Sequence, residues 1–180
     1  MARKKKDFPW LLIGAALVTF VVAVLLFAMF GERLFPPEKP PQVRTVVLYF
    51  SDDTGKRLVP TKHTIKRGTL EEEIARTLKA LKKPPSPPLV RTIPDGVRIL
   101  SVRVKEKTAY VDFSKELVRN HPGGSSAELQ TVYSIVNTVA LNFPQVERVQ
   151  ILVEGSKRKT LAGHLLINMP LRANRKLIKG

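Results

Sequence analysis

The chain has 180 residues, a net charge of +16 and no cysteine. Without cysteine this sequence has no disulfide, no thiolate zinc site, no cysteine nucleophile and no cysteine that could carry a lipid anchor. The residues from Val43 onward hold 25 Lys and Arg against 12 Asp and Glu, a net of +13. If the domain lies outside the cytoplasm, as predicted below, a surplus of this size favours an anionic lipid, an acidic envelope polymer or an acidic partner over nucleic acid. Alternatively, the charge serves solubility alone.

An apolar run near the N-terminus comes first in chain order. Residues 10–30 read WLLIGAALVTFVVAVLLFAMF, without a charge. A helix of this length covers roughly 31 Å, about one hydrocarbon core. The run predicts a transmembrane helix at 10–30, with a cleaved signal peptide or a buried core helix as alternatives.

The flanks of the run predict its orientation. Residues 1–9 form a basic tail, and positive residues stay in the cytoplasm. We therefore expect a single-pass protein of the bacterial inner membrane that contacts the lipid bilayer through this helix. The rest of the chain would lie in the periplasm or extracytoplasmic space: a proline-rich linker at 31–42, a domain at 43–170 and a basic C-terminal tail at 171–180.

The first half of the domain has two strands and a helix. Residues 44–50 (RTVVLYF) are rich in β-branched and aromatic side chains and predict a strand, and residues 58–66 predict a second. Thr69 and Glu72 have the spacing of a capping box, which begins an amphipathic helix. The predicted order is therefore β-β-α.

A hairpin follows in the second half. Residues 97–105 and 108–113 alternate as strands with one solvated face, and Leu100, Val102 and Val104 are expected on the apolar face.

A second helix then begins at a predicted capping box of Ser125 and Glu128 and ends before Pro144. Residues 146–153 predict a strand, and 160–167 a last one. The order β-β-α-β-β-α-β-(β) predicts an α+β two-layer sandwich, with two helices packed on one face of a mixed or antiparallel sheet.

Catalytic and metal-binding patterns are weak. His63, His121 and His164 lack partners at metal-ligand spacing. Asp112 and Glu116 could form a carboxylate pair, but turn and capping roles explain them as well. We predict no catalytic residue, no metal site and no cofactor.

Clustered basic residues give the candidate binding surface. Exposed strand positions, one turn and the C-terminal tail carry them, and together they predict a surface for an anionic ligand: Arg98, Arg103, Lys105, Lys157, Arg158, Lys159, Arg172, Arg175 and Lys176.

Seven short segments occur in a fixed order: VVLYFSDD at 46–53, LVP at 58–60, IPDGVRILSV at 93–102, AYVDFS at 109–114, GGS to FP at 123–144, VQILVEG at 149–155 and LAGH at 161–164. In this order they resemble the GerMN domain, the sporulation and spore germination domain. The resemblance covers roughly residues 43–170. It implies an α/β fold similar to the ring-building domains of envelope assemblies and a membrane-tethered extracytoplasmic role. For some members an action on peptidoglycan has been suggested.

Two features depart from the best-known members, which have a lipidated cysteine and two copies of the domain. This chain has one copy behind its predicted helix. The sequence predicts a non-catalytic binding or assembly domain of the cell envelope, whose partner is an envelope protein or a cell-wall polymer and which acts alone or in a homo- or hetero-oligomer. The alternative is a peptidoglycan-remodelling enzyme or its accessory factor. A cleft with two carboxylates and room for a sugar would favour that alternative.

Overall fold

A computed structural model describes residues 10–34, 42–83 and 87–180. The chain divides into two compact units, residues 1–40 and 41–180. The first unit contains helix α1 (Trp10–Leu34). The predicted basic tail at 1–9 and most of the predicted linker, 35–41, lie outside the described residues.

The predicted membrane span needs a correction. A helix crosses a bilayer only with about 20 consecutive, predominantly apolar residues. Over the ranges 10–34, 42–83 and 87–180, no helix combines sufficient length with sufficient apolarity to cross a membrane. The described residues therefore do not support the predicted transmembrane helix at 10–30. Helix α1 forms there and continues through Glu32 and Arg33 to Leu34.

Two small sheets belong to the second unit. Strand β1 (Val43–Ser51) pairs antiparallel with β2 (Leu58–Lys66). In the other sheet, β3 (Ile99–Lys105) is antiparallel to β4 (Thr108–Phe113), and β4 is parallel to β5 (Arg148–Val153). The α+β class is confirmed, although the strands form two sheets rather than one.

Three helices accompany these strands: α2 (Leu70–Leu81), α3 (Glu116–Arg119) and α4 (Ser125–Ala140). The capping box of α2 is confirmed, because Thr69 Oγ1 accepts from Glu72 N at 3.3 Å and Glu72 Oε2 accepts from Thr69 N at 3.2 Å.

Side chains near the end of α4 close the free edge of β1, which explains the separate sheets. The N–H of Val47 donates to Asn142 Oδ1 at 2.7 Å, and Asn142 Nδ2 donates to the Val47 carbonyl at 2.6 Å. The N–H of Tyr49 donates to Thr138 Oγ1 at 3.2 Å. Backbone groups that are already bonded cannot pair with another strand.

The second predicted capping box is wrong. The N-cap of α4 is Gly124, and no side chain caps it. Glu128 is fully buried and accepts instead from the N–H groups of Leu161 (2.7 Å), Ala162 (2.9 Å) and His164 (2.8 Å). The predicted strand at 160–167 is absent from the described structure, because this segment folds around the carboxylate as a loop.

The core lies between the helices and the sheets. Val136 and Ile135 of α4 and Phe113 and Val111 of β4 are each fully buried. Leu100 is 45% exposed, contrary to prediction, because the β3–β4 register shifts between Ile99 and Ser101 and turns this side chain outward.

Residues 171–180, which the sequence sets apart as a tail, are hydrogen-bonded to both sheets. Leu171 exchanges two 2.9 Å backbone hydrogen bonds with Val149 of β5. The N–H of Lys179 donates to the Leu58 carbonyl of β2 at 2.8 Å. The segment thus connects the two sheets along its length.

Candidate anion-binding surface

The nine predicted basic residues lie on several elements. Arg98 immediately precedes β3, which contains Arg103 and Lys105. Residues 157–159 follow β5 in an exposed loop, and Arg172, Arg175 and Lys176 belong to the C-terminal segment. Arg172 pairs with Glu147 at 3.5 Å and Lys105 with Glu106 at 3.8 Å. Arg98 lines a hollow together with cations that the sequence did not single out.

Two adjoining hollows, of about 460 and 420 Å³, share Lys79 and Lys82. The first also has Lys83, Arg91 and Asp95 in its wall, and the second has Arg76 and Arg98. We call the six cations the basic surface: Arg76, Lys79, Lys82, Lys83, Arg91 and Arg98.

The amphipathic pattern of α2 places the lysines on this surface. Ile74, Leu78 and Leu81 are fully buried in the core, so Lys79 and Lys82 emerge on the other side of the helix. Three lysines at i, i+3 and i+4 near the helix end were a signal that the sequence contained. They were missed because lysines at the C-terminus of a helix are explained by its dipole alone.

A side chain from the β4–α3 connection fixes Arg98 beside them. Ser114 Oγ accepts from Arg98 N at 3.0 Å, and Ser114 N donates to the Arg98 carbonyl at 2.9 Å. These bonds hold the start of β3 to the end of β4.

Most of these cations are free to meet a ligand. Arg76 pairs with Glu72 at 3.2 Å, and Arg91 pairs with Asp95. Within the described ranges, no carboxylate lies within ion-pair distance of Lys79, Lys82, Lys83 or Arg98. The arrangement can therefore bind anionic groups without first breaking a salt bridge at these four positions.

The suspected carboxylate pair serves the local backbone. Asp112 Oδ1 accepts from Gly155 N at 2.8 Å. The Ser114 hydroxyl, donating to Glu116, lowers the pKa of that carboxyl below its ordinary value.

The histidines also have structural partners or lie in solvent. His63 is exposed on β2. His121 Nδ1 accepts from Gly123 N at 3.0 Å, and burial lowers the pKa of His121. His164 Nδ1 lies 3.2 Å from Glu128 Oε2. In the part of the chain that the structure describes, no three His, Asp or Glu side chains are grouped to hold a metal ion.

A separate cleft of about 540 Å³ lies between the turn after β1, the segment 90–95 and the start of α4. Three carboxylates line it, those of Asp52, Asp53 and Asp95. Burial alone would raise the pKa of Asp52, but the N–H groups of Arg57 and Lys56 outweigh it and hold that pKa below its ordinary value. We call this feature the α4 cleft.

Solved structures show the same fold. The chain is similar to the first GerMN domain of the sporulation protein GerM from Bacillus subtilis, with 20% identity and a TM-score of 0.54, over 74% of this chain and 98% of that one. A Clostridium perfringens protein described as a lipoprotein has 22% identity and a TM-score of 0.52, over 75% and 92%.

The tandem GerMN domains of GerM match with 17% identity and a TM-score of 0.57, over 73% of this chain but 46% of that one. This chain thus spans about half the length of the tandem protein. No curated protein matches the sequence.

A family model described as sporulation and spore germination matches residues 47–159. This range is more than half of the chain and contains most of the segments on which the GerMN resemblance was based. The chain belongs to the sporulation and spore germination (Germane) family.

Proposed function

We propose that this protein is an extracytoplasmic, non-catalytic binding domain of the bacterial cell envelope, and that its basic surface holds an anionic cell-wall polymer. The observation that carries this proposal is the pair of adjoining hollows around Lys79 and Lys82, in which four cations have no ion-pair partner among the described residues.

The helix dipole accounts for part of this surface only. Cations in the last turn of a helix are stabilised by roughly 0.3–1 kcal/mol each, which would explain Lys79, Lys82 and Lys83 without a ligand. Arg91 and Arg98 come from other segments, so the helical pattern of α2 does not account for their presence here. Their convergence on the same hollows supports a ligand that meets all of them.

The proposed location rests on the relatives. One structural neighbour is described as a lipoprotein and another as a sporulation protein. Protease added to intact spheroplasts should digest residues 41–180 of this chain. Protection of the domain until lysis would contradict the extracytoplasmic location.

A wall-degrading enzyme is the second candidate, favoured by the three carboxylates of the α4 cleft. A glycosidase of the usual type needs one carboxyl with a raised pKa as general acid, and the pKa of Asp52 is lowered. Asp52 therefore does not suit the role of the general acid, and under the binding proposal the full chain should release no soluble fragments from peptidoglycan. Release that is lost in Asp53→Asn or Asp95→Asn would make the protein an enzyme.

Binding to isolated cell walls tests the main proposal. The full chain is sedimented with wall sacculi that retain their anionic polymers and with sacculi stripped of them, across a salt series. We expect co-sedimentation with the unstripped walls, weakening steeply as salt rises, because exposed charges are screened over about 8 Å at physiological ionic strength. Equal binding to both preparations would contradict an anionic ligand.

A further inference from the structure

The α4 cleft has binding features of its own, which the basic surface lacks. Its wall contains two side chains that are almost completely buried, Thr92 at 6% and Gln130 at 4% exposure. Thr92 Oγ1 and Gln130 Oε1 are buried without a hydrogen-bond partner in the described part of the chain. Buried polar atoms in folded proteins are nearly always bonded, so an orphaned pair in one cleft wall needs an explanation.

Neighbouring polar groups in the same wall are satisfied. Gln130 Nε2 donates to the Gly55 carbonyl at 3.2 Å, and Thr131 Oγ1 donates to the Thr92 carbonyl at 2.6 Å. The first bond fixes the side chain of Gln130, and the second fixes the backbone of Thr92. The cleft is thus pre-organised and leaves two acceptor oxygens unused.

Hydrogen-bond donors come from the start of α4. This helix has 16 residues, and no side chain caps its N-terminus at Gly124. Its first-turn N–H groups have no intrahelical partner. Ser126 and Ala127 of that turn line the cleft. A ligand group that both donates and accepts, such as a hydroxyl, can use both sides.

The charges favour an uncharged ligand. Asp52, Asp53 and Asp95 line the cleft and repel anions. Arg91 also lines the cleft, where it pairs with Asp95, and together with the net charge of +13 from Val43 onward it repels cations. A neutral ligand incurs neither cost, and the apolar side chain of Val90 beside the carboxylates can pack on the C–H face of a sugar ring.

We propose that the α4 cleft is a saccharide-binding site, which takes a short uncharged segment with free hydroxyl and amide N–H groups. Thr92 Oγ1 and Gln130 Oε1 accept from the ligand, and the first turn of α4 donates to it. This site adjoins the basic surface, with which it shares Arg91, and it does not rest on the function proposed above.

Titration of the isotopically labelled full chain with an N-acetylglucosamine tetramer tests the proposal. We expect saturable shifts of the backbone amide signals of Thr54, Thr92 and Ser126. Absence of shifts at millimolar sugar, or shifts confined to other surfaces, would overturn it. The same titration is run with two peptides, one uncharged and one rich in lysine. If either peptide gives saturable shifts at these positions and the sugar does not, the site binds peptide and the saccharide proposal is overturned.

Two hydroxyl deletions separate binding from folding. Thr92→Val removes an orphaned hydroxyl, so the melting temperature should stay the same or rise while sugar affinity falls at least about threefold, the loss of one modest hydrogen bond. Thr77→Val is the matched control, since Thr77 is also buried but donates to the Glu73 carbonyl at 2.7 Å away from the cleft. It should lower the melting temperature and leave affinity unchanged. Unchanged affinity in Thr92→Val would overturn the assigned role of Thr92.

A blocking variant keeps the test independent of core packing. Ser126 and Ser125 are exposed neighbours in the first turn of α4, and of the two Ser126 lines the cleft. Ser126→Tyr should abolish the sugar-induced shifts, and Ser125→Tyr should preserve them. Equal binding by both variants would show that the sugar lies elsewhere.

Discussion

The basic surface and the α4 cleft lie on opposite sides of one segment. Arg91, Pro94 and Asp95 line both the first basic hollow and the cleft. On one side this segment meets the lysines of α2, and on the other it meets Asp52 and Asp53. A strongly basic domain thus contains an acidic cleft, and the ion pair of Arg91 with Asp95 lies where the two meet.

The two regions differ in how they are built. Four of the six cations of the basic surface follow from the pattern of α2 and its C-terminal end, and Arg91 and Arg98 join them from other segments. The cleft depends on three segments that are far apart in the chain and on bonds such as that from Gln130 to the Gly55 carbonyl. Net charge alone would therefore describe the first region and conceal the second.

The largest expected effect comes from a core substitution that unfolds the domain, and both binding regions are then lost together. Val136 is fully buried on α4. Val136→Asp buries an unpaired carboxylate at a cost of several kcal/mol, against a typical domain stability of about 5–15 kcal/mol. We expect loss of the cooperative thermal transition and of both binding activities. Leu166→Asp is the control, because Leu166 is 52% exposed, and a near-normal transition in both variants would contradict the packing of α4.

A substitution of Glu128 should have a smaller effect on stability. We expect this effect on the cleft side of the domain and not at the basic surface. Burial alone would raise the pKa of Glu128, but the N–H groups of Ala162, His164 and Leu161 outweigh it and hold the pKa below its ordinary value. Glu128→Gln should destabilise the domain by about 1–3 kcal/mol near neutral pH, because charged acceptors form stronger hydrogen bonds.

The sign of its pH dependence follows from the lowered pKa. The stabilisation by Glu128 is fully present above the pKa of a glutamate in the unfolded chain, about 4.3, and is lost as the pH falls through the lower folded pKa. Urea unfolding should therefore show a large difference between wild type and Glu128→Gln near neutral pH and a smaller one in acid. A difference that is constant with pH would contradict the ionised state of Glu128.

The smallest stability effect concerns the ion pair between the two regions. The side chains of Arg91 and Asp95 are 39% and 87% exposed, so breaking their pair should change the free energy of unfolding by less than about 1 kcal/mol.

Binding should respond to the two partners of this pair in opposite directions. Arg91→Gln should weaken anionic-polymer binding about fivefold at low salt, by analogy with roughly 1 kcal/mol per cation at an anionic membrane. Asp95→Asn should strengthen it. Calorimetric titration measures both, and changes of the same sign would mean that the pair acts only on folding.

The sequence predicted an element correctly where the residues that bond to each other lie close together in the chain. Thr69 and Glu72 form the expected capping box because both partners lie in one helical turn. The same motif at Ser125 failed, since Glu128 bonds to a loop more than 30 residues away. Leu100 faces solvent because a register shift depends on the partner strand.

The candidate sites divide in the same way. Lys79, Lys82 and Lys83 could have been found from their spacing, whereas their meeting with Arg91 and Arg98 could not, because it depends on tertiary packing. The orphaned oxygens of Thr92 and Gln130 have no signature in the sequence at all.

The central claim is that the location of the cations, and not their number, makes the binding surface. Two triple variants remove the same charge from different places: Lys79, Lys82 and Lys83 changed to Gln, and Lys157, Arg158 and Lys159 changed to Gln. The measurement is the affinity of the full chain for unstripped wall sacculi across a salt series. We predict that the first variant binds much more weakly and loses most of the salt dependence, while the second stays close to wild type. Equal losses in the two variants would contradict the account, because the charge would then act only through its total.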